Sequence, residues 1–176
     1  SRGLGDVYKR QTANGIKLSW KKYKAASGYV VYRGVNGKAY TIAGVVQNPD
    51  TTSFVDVTAK NVGVKYTYKI RTYKTFGDVT YNSAFGGEKT GSYVPAVKLK
   101  KFTSASAGTA KVTYNKVAKA TGYQIQYADN ASFKSAKTAN VNGGSVTSKT
   151  IKRLTKGKRY YVRVRSFKKI DGKVYY

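Results

Sequence analysis

The chain of 176 residues has no cysteine, no methionine and no histidine, and only two prolines. Without thiols there is no disulfide framework, no cysteine-ligated zinc site and no cysteine nucleophile. Without histidine, the commonest general base and metal ligand is missing. Acids are scarce too: seven, against 34 lysines and arginines. Beyond the opening segment they are Asp50, Asp56, Asp78, Glu88, Asp129 and Asp171. None forms a close pair in sequence, and four sit in or beside turn signals, where Asp caps its own backbone. Neither the paired carboxylates of glycoside hydrolysis nor a metal cluster or nucleophile–base dyad is evident. Glycines fall at turns, not in G-x-G-x-x-G or a P-loop. No apolar run approaches about 18 residues, and no segment has signal-peptide character. The expectation is a chain that is not an enzyme and holds no cofactor or metal.

Tyrosine fills much of the gap, with 17 residues against six Phe and one Trp. Tyr, Val and Thr favour half-buried strand positions. The net charge is +27, a field that favours polyanions without naming one. The opening Ser1–Gln11 is read as foreign. Asp6-Val7-Tyr8-Lys9-Arg10-Gln11 is what GAT-GTG-TAT-AAG-AGA-CAG encodes, a string that resembles a transposon mosaic-end sequencing adapter. The segment is expected to have no defined place in the fold and no function.

The remainder repeats at an offset of 94 residues. Gly28-Tyr29 recurs as Gly122-Tyr123, Trp20 as Tyr114, Tyr66 as Tyr160, Ile70 as Val164 and Tyr81 as Tyr175. A repeat this long is a whole domain. Within it the period is two, the strand signature. Tyr66, Tyr68, Ile70 and Thr72 share one face of KYTYKIRTY, and Tyr160, Val162 and Val164 share one face of RYYVRVRSF. Further strands are expected at Ile16–Trp20, Tyr29–Arg33, Tyr40–Val45, Ser53–Val57 and Val79–Phe85. In the second repeat they are Lys98–Ser104, Lys111–Asn115, Tyr123–Tyr127, Ala136–Val141 and Ser148–Leu154. Asn36-Gly37, Gly77-Asp78 and Asp171-Gly172 are among the turn signals between them. No stretch has a helical period. The expected fold is all-β, with two domains, 12–93 and 94–176, joined near Tyr93–Pro95. Their cores should centre on Trp20, Tyr29, Val31, Tyr66, Tyr68 and Ile70, and on Tyr114, Tyr123, Ile125, Tyr160, Val162 and Val164.

These motifs resemble bacterial fibronectin type III domains. IKLSW followed by SGYVVYR (Ser27–Arg33) matches a Trp on the second strand and a Gly-Tyr opening the third. AKVTYNKVAKATGYQIQY (Ala110–Tyr127) repeats the pattern, with Tyr114 in place of Trp. Leu154-Thr155-Lys156-Gly157-Lys158-Arg159-Tyr160 is similar to the family's approach to its tyrosine corner. In the first repeat Lys60 stands where the Leu would be, leaving Val57 or Val62 as the apolar plug beside Tyr66. The resemblance implies two immunoglobulin-like β-sandwiches, each terminally truncated: the first without its first strand, the second without most of its last.

It further implies a non-catalytic extracellular spacer or adhesion module of a larger bacterial surface or secreted protein. Charge adds a partner class. Residues 12–93 carry 12 basic and four acidic side chains, net +8, and residues 94–176 carry 19 and two, net +17. Lys152, Arg163, Arg165 and Lys168 are the expected contacts for anionic cell-wall polymers or glycans; other domains of the parent protein are the further candidates. The same lysines also serve as a solvated coat that discourages edge pairing. The alternative is an accessory carbohydrate-binding region of a polysaccharide or cell-wall hydrolase, which needs Tyr73, Tyr81, Tyr161 and Phe167 clustered outside. Nucleic acid is disfavoured, because no recognised binding signature is present.

Overall fold

The computed structural model describes residues 8–12 and 14–176, with backbone alone for residues 8–11. The chain forms two compact units, Ser1–Tyr93 and Val94–Tyr176. The described residues form strands and turns with no helix.

In the first unit, β1 (Tyr8–Thr12), β2 (Gly15–Ser19) and β5 (Ser53–Asp56) make one antiparallel sheet in the order β1-β2-β5. β3 (Gly28–Val35), β4 (Thr41–Val46), β6 (Tyr66–Phe76) and β7 (Val79–Asn82) make the other, ordered β4-β3-β6-β7. β8 (Lys89–Gly91) pairs with β6 as well. The second unit repeats the plan. β9 (Leu99–Ser106), β10 (Thr109–Tyr114) and β13 (Ser148–Ile151) form the sheet β13-β10-β9. β11 (Gly122–Ala128), β12 (Lys137–Asn142), β14 (Tyr161–Ile170) and β15 (Lys173–Tyr175) form β12-β11-β14-β15.

Alternation decides which residues go inside. Tyr66, Tyr68, Ile70 and Thr72 of β6 are buried while their neighbours are half-exposed. With Ile16, Leu18, Trp20, Tyr29 and Val31 they build the first core. The second core is built on Val112, Tyr114, Tyr123, Ile125, Val141 and Ile151, with Val162 and Val164 packed partly buried against it. Tyr160 departs from expectation: it is half-exposed and lies outside that cluster. Val57 is exposed, so it is not the plug of the first corner; Val62 packs there, beside fully buried Ala59. Two-residue turns close hairpins as the sequence signals. Asp171-Gly172 joins β14 to β15 with φ of 49° and 77°, the left-handed pair that Asp-Gly adopts at low cost.

The opening segment differs from expectation. From Tyr8 to Thr12 it pairs residue for residue with β2, from Tyr8↔Ser19 to Thr12↔Gly15. The free edge of β2 presents unpaired backbone donors and acceptors, which take up an adjacent chain whatever its side chains. Backbone pairing bears neither on the segment's origin nor on a role for it. Residues 1–7 lie outside the described residues.

The Gly-Tyr motif has a physical basis in both units. Gly28 pairs with Tyr73 and Gly122 with Phe167 across neighbouring strands. The ring lies over the bare glycine. A β-carbon at Gly122 would stand 2.3 Å from the Val141 carbonyl oxygen and 2.7 Å from the Phe167 ring. Gly122→Ala is therefore expected to destabilise the second unit by about 1–3 kcal/mol, read as a lowered urea midpoint. An unchanged midpoint would contradict the close packing.

Candidate polyanion-binding face

The sheet β12-β11-β14-β15 turns one face to the second core and the other to solvent. On β11, Tyr123 and Ile125 point in, so Gln124 and Gln126 point out. On β14, Arg163 and Arg165 are exposed. The register sets Gln124 directly opposite Arg165 and Gln126 opposite Arg163. Each glutamine holds its arginine: Arg163 Nε donates to Gln126 Oε1 at 2.7 Å, and Arg165 Nε donates to Gln124 Oε1 at 2.9 Å. Each guanidinium also lies on a ring, Arg163 at 4.3 Å from the Phe133 centroid and Arg165 at 3.6 Å from that of Tyr176. Contacts of this kind are worth about 0.5–1 kcal/mol at exposed sites. The two side chains are thus oriented before any ligand arrives. Neither has a carboxylate partner among the described residues.

The structure does not bring all four expected residues together. Arg163 and Arg165 share this face. Lys168 lies on the opposite side of β14, in register with buried Tyr175. Lys152 is exposed just beyond β13, in the other sheet. Gln124, Gln126, Phe133 and Tyr176 were not anticipated. The alternation Gln124-x-Gln126 beside Arg163-x-Arg165 is the signal for the glutamines. Phe133 sits in a loop whose contact with β14 leaves no local trace.

The first unit provides a contrast at the same positions. Lys69 and Arg71 correspond to Arg163 and Arg165 in the repeat, but aromatic rings cover them. Lys69 lies 4.0 Å from the Tyr40 centroid and 4.1 Å from that of Phe85. Arg71 lies 5.1 Å from Tyr32 and 5.2 Å from Phe85. Beside them, burial and a hydrogen bond with Glu88 push the Tyr40 phenol up to about 12. The cations of this face are half-buried, whereas those of the second unit are open to solvent.

The first unit spends its buried acid on structure. Asp56, 3% exposed, accepts from Arg33 Nη1 at 2.8 Å, the Tyr68 hydroxyl at 2.9 Å and the Thr58 hydroxyl at 2.7 Å. Burial works to raise its carboxyl, but the hydrogen bonds from Thr58, Arg33 and Tyr68, with the Arg33 charge, hold it below its usual value. Asp50 pairs with Lys22 and Asp129 with Lys158 at exposed sites. Among the described residues no three His, Cys, Asp or Glu side chains gather as a metal site.

The aromatic residues of the carbohydrate alternative form no shared platform within either unit. Tyr81 lies opposite Lys74 on β6, so alternation sets it on the other face from Tyr73, which covers Gly28. Tyr161 and Phe167 are six residues apart along β14, about 20 Å at strand rise.

No family model matches the chain, and no curated protein matches it. Among solved structures it is similar to a two-domain fibronectin type III segment of chicken tenascin, at 19% identity and TM-score 0.47, over 99% of this chain and 95% of that one. It is also similar to the FN1–FN3 domains of chicken CNTN1, at 18% identity and TM-score 0.45, over 94% of this chain and 59% of that one, less than two thirds of its length. Each unit opposes a sheet of its first, second and fifth strands to a sheet of its fourth, third, sixth and seventh, with β8 added to the latter in the first unit. In each, a Tyr at the sixth strand's entrance (Tyr66 opening β6, Tyr160 just before β14) accepts a bond from the corner: the Asn61 N–H donates to Tyr66 Oη at 3.3 Å, and the Thr155 N–H to Tyr160 Oη at 3.1 Å. The chain is a tandem of two fibronectin type III-like β-sandwiches.

Proposed function

We propose that the chain is a non-catalytic extracellular module of a larger surface or secreted protein, and that its second unit holds anionic cell-surface polymers through charge. The observation that carries this reading is the asymmetry between two otherwise similar sandwiches: net +8 over residues 12–93 and +17 over residues 94–176. The two equivalent sheet faces differ in the same sense, covered in the first unit and open in the second. A uniformly solvated coat gives no reason for that difference. The first unit acts as a spacer in this scheme.

Charge-driven attachment weakens steeply with salt, since screening shortens to about 8 Å at physiological ionic strength. The chain is therefore expected to be retained on immobilised wall teichoic acid and heparin at low salt and released as salt rises. Retention on single-stranded DNA that survives raised salt would favour a nucleic-acid reading instead. No retention even at low salt would reduce the basic residues to a solubility coat.

A further inference from the structure

The geometry points to a built subsite on β11 and β14 for two successive phosphodiesters of a base-free polyol-phosphate chain, gripped by Arg163 and Arg165. This inference rests on the polyanion reading above and narrows it to one face and one ligand class.

Three observations carry it. First, the arginines are preorganised. Arg163 is held at Nε by Gln126, Arg165 at Nε and Nη2 by Gln124, and their planes are seated on Phe133 and Tyr176, while both side chains stay exposed. An open groove of about 340 Å³ runs along Gln124, Gln126, Arg163, Val164 and Arg165. Guanidinium groups fixed in this way match phosphate oxygens through paired charge-assisted bonds. Second, the spacing fits. Arg163 and Arg165 are two residues apart on one strand, so six backbone bonds separate their Cα atoms, about 6.8 Å at strand rise. A three-carbon polyol phosphate also has six bonds between successive phosphorus atoms, P–O–C–C–C–O–P. The two repeats run in step when both are extended.

Third, the loop is constrained so as to place Phe133. This residue has a φ of 55°, a conformation costly for a bulky side chain. Asn130 holds it there: Asn130 Oδ1 accepts from the Lys134 N–H at 2.9 Å and the Ser132 hydroxyl at 2.8 Å, and its amide donates to the Lys134 carbonyl at 2.9 Å. The result is a ring laid against the Arg163 guanidinium. Nucleic acid shares the six-bond backbone, but strands without sequence preference are held by bases stacked on free aromatic faces. Here Phe133 and Tyr176 each already carry a guanidinium on a face.

The test is a charge-matched comparison in the full chain, using a fluorescent glycerol-phosphate oligomer as probe. Arg163→Gln with Arg165→Gln, and Lys152→Gln with Lys168→Gln, each remove two charges. The arginine pair is expected to lose at least about tenfold in affinity, and the lysine pair no more than about threefold. Phe133→Leu, which changes no charge, is expected to weaken binding severalfold and provides a second route should the arginine variant fold poorly. A thymidylate oligomer of equal charge and polygalacturonate should both bind more weakly than the probe. Equal losses in the two double variants would overturn the subsite while leaving charge-driven binding in place. Tighter binding of thymidylate would overturn it in favour of nucleic acid. No binding of any polymer by the unaltered chain would overturn both this subsite and the broader reading.

Discussion

Asp56→Ala is expected to destabilise the first unit by about 3–5 kcal/mol, the cost of breaking a buried ion pair from one side. Asp56 ends β5 in one sheet, while Arg33 of β3 and Tyr68 of β6 belong to the other. Removing the carboxylate leaves Arg33 facing the core without its counter-charge and Tyr68 without an acceptor. The sole tryptophan, Trp20, is buried in the same core beside Tyr29, so its fluorescence during urea unfolding reports this unit alone.

The second unit solves the same position without charge. Ile151 pairs with Ala110 where Asp56 pairs with Ile16, and Tyr127 pairs with Val162 where Arg33 pairs with Tyr68. Arg33→Tyr, Asp56→Ile and Tyr68→Val made together are therefore expected to recover most of the stability lost in Asp56→Ala, because apolar replacement of a complete buried pair is often neutral. Acid gives an independent check. The folded carboxyl of Asp56 lies below its unfolded value of about 3.9. Its contribution is complete above that value and is lost as pH falls through the folded value. The Trp20 midpoint of the unaltered chain should fall on acidification below about pH 4, and the triple variant should lack that component. A single variant as stable as the parent would refute the network's role.

Tyr123→Ala is expected to cost the second unit about 3–5 kcal/mol. Its ring is fully buried against Tyr114, with centroids 4.6 Å apart. Its hydroxyl ties two loops: it accepts from the Val117 N–H and donates to the Gly144 carbonyl, both at 2.9 Å. Tyr123→Phe keeps the ring and leaves two partners unpaired, so about 1–3 kcal/mol should be lost. Tyr29 makes the same pair of bonds in the first unit, from the Tyr23 N–H and to the Pro49 carbonyl. Urea unfolding of both variants checks this; a Phe variant as stable as the parent would show the hydroxyl to be dispensable.

The sequence makes the periodic features legible. β6 alternates strictly enough that its buried face reads directly, and the 94-residue repeat transfers that reading to β14. The Gly-Tyr pairs mark the same strand start in both units. Contacts between distant segments leave no such trace. Arg33 falls on the inward register of Tyr29 and Val31, yet nothing local indicates that Asp56, 23 residues later, meets it. Charge density along the chain groups Lys152 and Lys168 with Arg163 and Arg165, although strand alternation sets Lys168 on the opposite face and Lys152 follows a different sheet. Tyr160 repeats Tyr66 in sequence and in its corner bond, but it is half-exposed where Tyr66 is buried. An open groove of about 440 Å³, lined by Tyr160 itself with Phe102, Leu154 and Lys158 among others, accompanies that difference.

On the function proposed above, anionic polymer binds the open face of the second unit and not the covered face of the first. The direct measurement is nuclear magnetic resonance of the full chain, isotopically labelled, titrated with a glycerol-phosphate oligomer at low salt. Amide shifts and the arginine Nε signals should move at Gln124, Gln126, Arg163 and Arg165, while Lys69 and Arg71 stay unchanged. Shifts centred on Lys69 and Arg71, or spread evenly over the lysines of both units, would contradict the account.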